Sequence, residues 1–102
     1  MNFEIIVLPE LFEEIKDFDQ KTKNIFSSKL NLIKENPFRF KAIHSKQFNR
    51  VFRVRLKIHA QEARLIYVIL ESKIILVCLL DRKKDYKDLE KYLFKVVAYL
   101  KK

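Results

Sequence analysis

From Val51 to Ile58 the sequence VFRVRLKI alternates strictly. Phe52, Val54, Leu56 and Ile58 therefore fall on one side of an extended strand, and Arg53, Arg55 and Lys57 on the other. Ala63 to Leu70 (ARLIYVIL) and Lys73 to Leu80 (KIILVCLL) predict two further strands. The second is a near-continuous apolar run, as expected at the centre of a sheet. Glu71 and Ser72 leave room only for a tight hairpin between them, whereas Lys57 to Glu62 (KIHAQE) reads as a longer polar turn. Upstream, Phe3 to Leu8 is a short β-type run halted by Pro9, a residue suited to opening a helix.

Leu11, Phe12, Ile15 and Phe18 then recur at helical spacing over Glu10 to Phe18, as do Ile25, Phe26, Leu30 and Ile33 over Lys21 to Glu35. Asp19 to Thr22 is the expected break between these two helices. Asn36 and Pro37 close the second one, because the residue before proline resists the helical region. Phe38 to Arg50 has no clear period and reads as an ordered loop, with Phe38, Phe40 and Phe48 available to pin it. After Asp81 to Asp85, a last helix is written by Leu89, Tyr92, Leu93, Val96, Val97 and Leu100. Asp85 or Asp88 near its start and Lys101 and Lys102 at its end suit the helix dipole. The expectation is one α+β domain over residues 1–102, ordered β-α-α-β-β-β-α. An antiparallel sheet packs against an N-terminal helical hairpin, and a C-terminal helix completes it.

Glycine is absent, so turn positions with positive φ must be filled at some cost, with Asn36, Asn49 and His59 as candidates. The same absence excludes a P-loop and a dinucleotide-binding fingerprint, which need glycine to bring backbone close to phosphate. Cys78 is the single cysteine and stands inside an apolar run, which predicts a buried thiol and fits a reducing compartment. The N-terminus has acids where a signal peptide has basic residues, and no apolar stretch reaches membrane-spanning length. A soluble, cytoplasmic protein without a membrane partner is expected.

Charge sharpens this picture. The chain carries +9, and unevenly: Met1 to Gln20 holds six acids against Lys16 alone, while the other residues hold 21 Lys and Arg against seven acids. A basic working surface backed by an acidic one points to polyanions. Arg53, Arg55 and Lys57 project about 7 Å apart along their strand, close to the phosphate spacing of an RNA strand. Charge that protects an exposed strand edge would show the same alternation.

Arg64 opens the next strand and Arg82 follows the third, so both reach the same face if the strands pair in order. Guanidiniums gathered there could hold a phosphate and neutralise charge that builds on its oxygens. Clustered cations would also favour the phenolate of Tyr86, making it a candidate general base or acid. His44 and His59 fall in predicted loops without metal-ligand or nucleophile spacing, and no metal site is expected. Asp81, Asp85, Asp88 and Glu90, interleaved with lysines, read as surface salt-bridge partners.

The element order, with FRVR at Phe52 to Arg55, ARLIY at Ala63 to Tyr67 and DRKKDY at Asp81 to Tyr86, resembles the RelE/ParE superfamily of toxins from prokaryotic toxin–antitoxin systems. The resemblance implies a RelE-like mRNA interferase, a metal-independent and cofactor-free endoribonuclease that cuts mRNA in the ribosomal A site. By position it implies substrate phosphate contacts for Arg53 and Arg55, with Lys57 beside them. It implies transition-state stabilisation by Arg64, matches Arg82 to the family's catalytic arginine after the last strand, and matches Tyr86 to the tyrosine that activates the 2′-hydroxyl or shares in proton transfer. The implied partners are the ribosome, mRNA and a cognate RelB-like antitoxin. The same fold as a ParE-like DNA gyrase inhibitor, or as a nontoxic relative that only binds nucleic acid or an antitoxin, is the alternative.

Overall fold

The computed structural model describes residues 2–81 and 88–101. Its elements run β1 (Glu4–Val7), α1 (Pro9–Lys16), α2 (Gln20–Glu35), β2 (Lys41–Ile43), β3 (Val51–Ile58), β4 (Gln61–Leu70), β5 (Lys73–Asp81) and α3 (Leu89–Leu100). The five strands form one sheet in the order β1-β5-β4-β3-β2. Neighbours pair antiparallel except β1, which joins the edge of β5 in parallel. The predicted α+β order is thus present, with β2 as a short additional strand inside the segment read as a loop. Three residues are too few to display a period of two, so the pattern could not reveal it.

The sheet carries a core on each face. On one side Leu11 of α1 and Phe26 and Ile33 of α2 pack with Phe52, Val54, Leu56, Leu65, Tyr67, Ile69, Ile74 and Leu76. On the other, Leu89, Leu93 and Val96 of α3 pack with Val51, Ile66, Val68, Ile75, Val77, Cys78 and Leu80. The continuous apolar run of β5 follows from this double burial. Burial also pushes the Cys78 thiol up to about 12, so it behaves as a small hydrophobe.

Local signals act where expected. Pro9 opens α1, and the Asp19 carboxylate accepts the Thr22 amide at 2.8 Å to start α2. Asn36 turns extended before the buried Pro37, whose carbonyl accepts a 2.6 Å hydrogen bond from the Tyr67 hydroxyl. That bond ties the end of α2 to the middle of β4. The Tyr67 ring stacks on Phe52 at 5.5 Å, and Phe38 meets Phe52 edge-on.

Two corrections concern turns. Lys57 to Glu62 is not a longer polar turn: β3 runs to Ile58, β4 starts at Gln61, and only His59 and Ala60 lie between. Both have positive φ (52° and 65°), as a type I′ hairpin requires. Of the candidates Asn36, Asn49 and His59, only His59 has positive φ; it is joined by Ala60 and by Glu71, at 55° in the β4–β5 turn. The tight hairpin geometry, rather than side-chain preference, selects these positions.

No helix among the described residues is long and apolar enough to cross a membrane. Tyr67→Phe should cost about 1–2 kcal/mol, because it leaves the Pro37 carbonyl buried without its donor. Urea unfolding monitored by circular dichroism measures this, and an unchanged midpoint would remove the tether from the account.

Candidate nucleic-acid interface

The β3–β4 register decides which side chains share a face. Arg55 lies directly opposite Arg64, Lys57 opposite Glu62, and Arg53 opposite Ile66. On its other side Arg53 lies opposite Lys41 of β2. Residues paired across antiparallel strands project to the same side, so Lys41, Arg53, Arg55, Lys57 and Arg64 occupy one face, the face that α3 covers elsewhere. The predicted residues Arg53, Arg55, Lys57 and Arg64 are therefore gathered together. Arg82 and Tyr86 lie outside the described residues.

Two features of this face escaped the sequence reading. Lys41 joins it only because β2 pairs with β3, and β2 carried no periodic signal. Glu62 also stands on it, its Oε1 3.6 Å from Nε of Arg55, with 61% of the Arg55 side chain exposed. At that exposure and distance the pair is a weak one. It offsets one positive charge among five.

The arrangement opposes the usual logic of a sheet. Cations sit directly opposite one another at Arg55 and Arg64 and again at Lys41 and Arg53, on adjoining strands. Each such like-charge pair costs a few tenths to about 1 kcal/mol. The two opposed pairs form a block of positive charge, with Arg53 and Arg64 half-buried and Lys41, Arg55 and Lys57 open to solvent. A block of this kind suits a polyanion.

A bulge in β5 sets the floor beneath it. Ile66 pairs with Cys78 and Tyr67 with Leu76, so Val77 is the extra residue. The bulge places Val77 and Cys78 successively on the α3 side and brings Leu80, rather than Leu79, opposite Arg64. The apolar run KIILVCLL is hydrophobic at every position after its lysine and so gave no hint of this shift.

Glu90 differs from its reading as a surface salt-bridge partner. One carboxylate oxygen accepts the Lys46 amide at 3.0 Å, and the other accepts Gln47 Nε2 at 2.7 Å. Gln47 Nε2 also donates to the Glu90 carbonyl at 2.9 Å. The first turn of α3 thereby holds the connection between β2 and β3. Hydrogen bonds from Gln47 first, then from Lys46 and Ser45, hold the Glu90 carboxyl below its ordinary value. His44 and His59 are exposed.

The fold is similar to that of solved structures of the E. coli toxin RelE. One is a mutant with two arginine-to-alanine changes in the free state, with a TM-score of 0.66 and 13% identity over 98% of this chain and 99% of that one. Another is the isolated toxin, with a TM-score of 0.63 and 11% identity over 92% of this chain and 98% of that one. No family model matches the sequence, and no curated protein matches it. The chain has the RelE toxin fold.

Lys41→Glu should turn one opposed pair into an attractive one. It should raise stability by about 0.5 kcal/mol in low salt, and the gain should fade as salt screens it. Urea midpoints at two salt concentrations check this; a loss of stability in low salt would contradict it. Glu90 gives a pH prediction. Because its folded-state pKa is depressed, its contribution is complete above about pH 4.5 and is lost as pH falls through the folded value. Glu90→Gln should therefore be less stable than the parent at pH 7, and the gap should narrow as pH falls below about 4.5.

Proposed function

We propose that this chain, built on the RelE toxin fold, is the toxin of a toxin–antitoxin pair and an endoribonuclease that cuts mRNA on the ribosome. The observation that carries the reading is the opposition of Arg55 and Arg64 beside that of Lys41 and Arg53, which gathers four cations on one face of paired strands and suits a phosphate backbone.

In the proposed reaction a 2′-hydroxyl attacks the adjacent phosphorus. The new O2′–P bond forms as the P–O5′ bond breaks, leaving a 2′,3′-cyclic phosphate and a 5′-hydroxyl. Arg53, Arg55 and Lys57 hold phosphates along the strand direction. Arg64, pointing to the same face, neutralises the nonbridging oxygens as negative charge builds on them, a role shared with Arg82. Tyr86, acting as its phenolate, takes the 2′-hydroxyl proton, and the departing O5′ takes a proton from solvent water. The roles of Arg82 and Tyr86 rest on the family resemblance. The chemistry calls for no cofactor, and the ribosome supplies the alignment of the mRNA that a sheet face does not provide by itself.

A RelB-like antitoxin is the partner that would silence such a protein in the cell. The reading places the protein in the cytoplasm, where translating ribosomes are.

Purified protein should cut mRNA on programmed ribosomes. Arg64→Ala and Arg82→Ala should each lose about 100-fold or more in rate while keeping a native circular dichroism spectrum. Cutting that persists at the parental rate in both variants would refute the site. Inhibition of DNA supercoiling by gyrase without mRNA cutting would instead favour the protein-binding alternative.

A further inference from the structure

We propose that Asn36–Arg50, the segment around the edge strand β2, is a second contact surface for single-stranded RNA, on which an unpaired base stacks beside Phe38. This inference rests on the RNA-cleaving reading and extends the strand's path beyond the opposed cations. The segment holds Arg39, Lys41, Lys46 and Arg50 and no acidic residue. Its arginines lie against rings: Arg50 Cζ is 5.5 Å from the centroid of Phe38, and Arg39 Cζ is 5.5 Å from that of Phe40. Phe38 remains 46% exposed although Phe3 and Phe52 hold it edge-on at 6.2 and 6.1 Å.

Protection of a sheet edge explains these residues poorly. β2 is only three residues long, which already blunts the edge, and edge protection asks only for charge in solvent, whereas the exposed Arg39 and Arg50 are also laid over aromatic faces. A ring with a guanidinium laid over it, held edge-on by two further rings, forms a planar platform of the kind a single-stranded base stacks on.

The segment is also ordered in advance. The Tyr67 hydroxyl holds Pro37 at one end, and Glu90 holds Lys46 and Gln47 near the other. Binding therefore does not have to order a loose loop. Position supports continuity with the cleavage face: Lys41 lies opposite Arg53 on that face, while Phe40, the preceding residue, packs toward the helical hairpin. A strand lying over Arg53 would meet Lys41 next and then pass over the β2 edge to Arg39, Phe38 and Arg50.

The test uses the whole protein with a short 2′-O-methylated single-stranded RNA, which cannot be cut, and the same RNA as a duplex. Fluorescence anisotropy is read over a series of salt concentrations. Phe38→Leu, which keeps apolar bulk, should weaken single-strand binding about tenfold without changing the salt slope. Arg39→Ala combined with Arg50→Ala should weaken binding and lower the slope of log K against log salt by about 1.4, or about 0.7 for each phosphate no longer neutralised. The duplex should bind more weakly than the single strand. Parental affinity in Phe38→Leu overturns the stacking, and parental affinity in the double variant overturns the surface. Equal binding of duplex overturns the choice of single-stranded RNA. If those variants bind normally while Arg53→Ala and Arg55→Ala bind weakly, only this inference fails. If all of them bind like the parent, the RNA-cleaving reading fails as well.

Discussion

Strand register is the constraint on which the molecule depends. His59 and Ala60 close the β3–β4 hairpin in two residues, and that closure sets Arg55 opposite Arg64 and Phe52 opposite Tyr67. A slip by one residue would turn every β3 side chain to the other face, burying the arginines and exposing Phe52, Val54 and Leu56. The two cores forbid that slip. Val54, Leu56, Leu65 and Ile66 are each 4% exposed or less, and complete burial of such a side chain contributes about 1.5–3 kcal/mol. Against this, opposed cations costing at most about 1 kcal/mol per pair are sustained easily. The fold thus holds together charges that would separate if the strands were free.

Around that register, the ends of the elements are tied to one another by polar contacts. Tyr67 reaches from the centre of the sheet to the residue that ends α2, and Glu90 reaches from the start of α3 to the connection between β2 and β3. Both tethers converge on the segment that contains β2. Lys41 takes its place beside Arg53 because that segment is held, although its strand is short. Structure and proposed chemistry meet here: a cleavage site built on charged side chains gains from having them fixed before the substrate arrives.

Much of this was legible in the sequence. The alternation VFRVRLKI revealed both the existence of β3 and the face of its three cations, because a half-buried strand leaves a period-two record. Helical spacing and Pro9, Asp19 and Asn36–Pro37 marked the two N-terminal helices to within a few residues. Features without a periodic or compositional trace stayed hidden. β2 is too short to alternate, the β5 bulge lies in a run that is apolar on both faces, and Ala60 and Glu71 occupy positive-φ positions that their side chains do not advertise. Glu90 looked like one acid in a mixed charge run because its partners, Ser45 to Gln47, lie more than 40 residues away.

The central claim, that the β3–β4 cations grip an RNA strand, is tested most directly by backbone and arginine side-chain NMR shifts during titration with uncleavable single-stranded RNA. The account predicts the largest changes at Arg53, Arg55, Lys57 and Arg64, with Lys41 among them. Changes confined to the α1 and α2 surface, with these five residues unmoved at saturation, would contradict it.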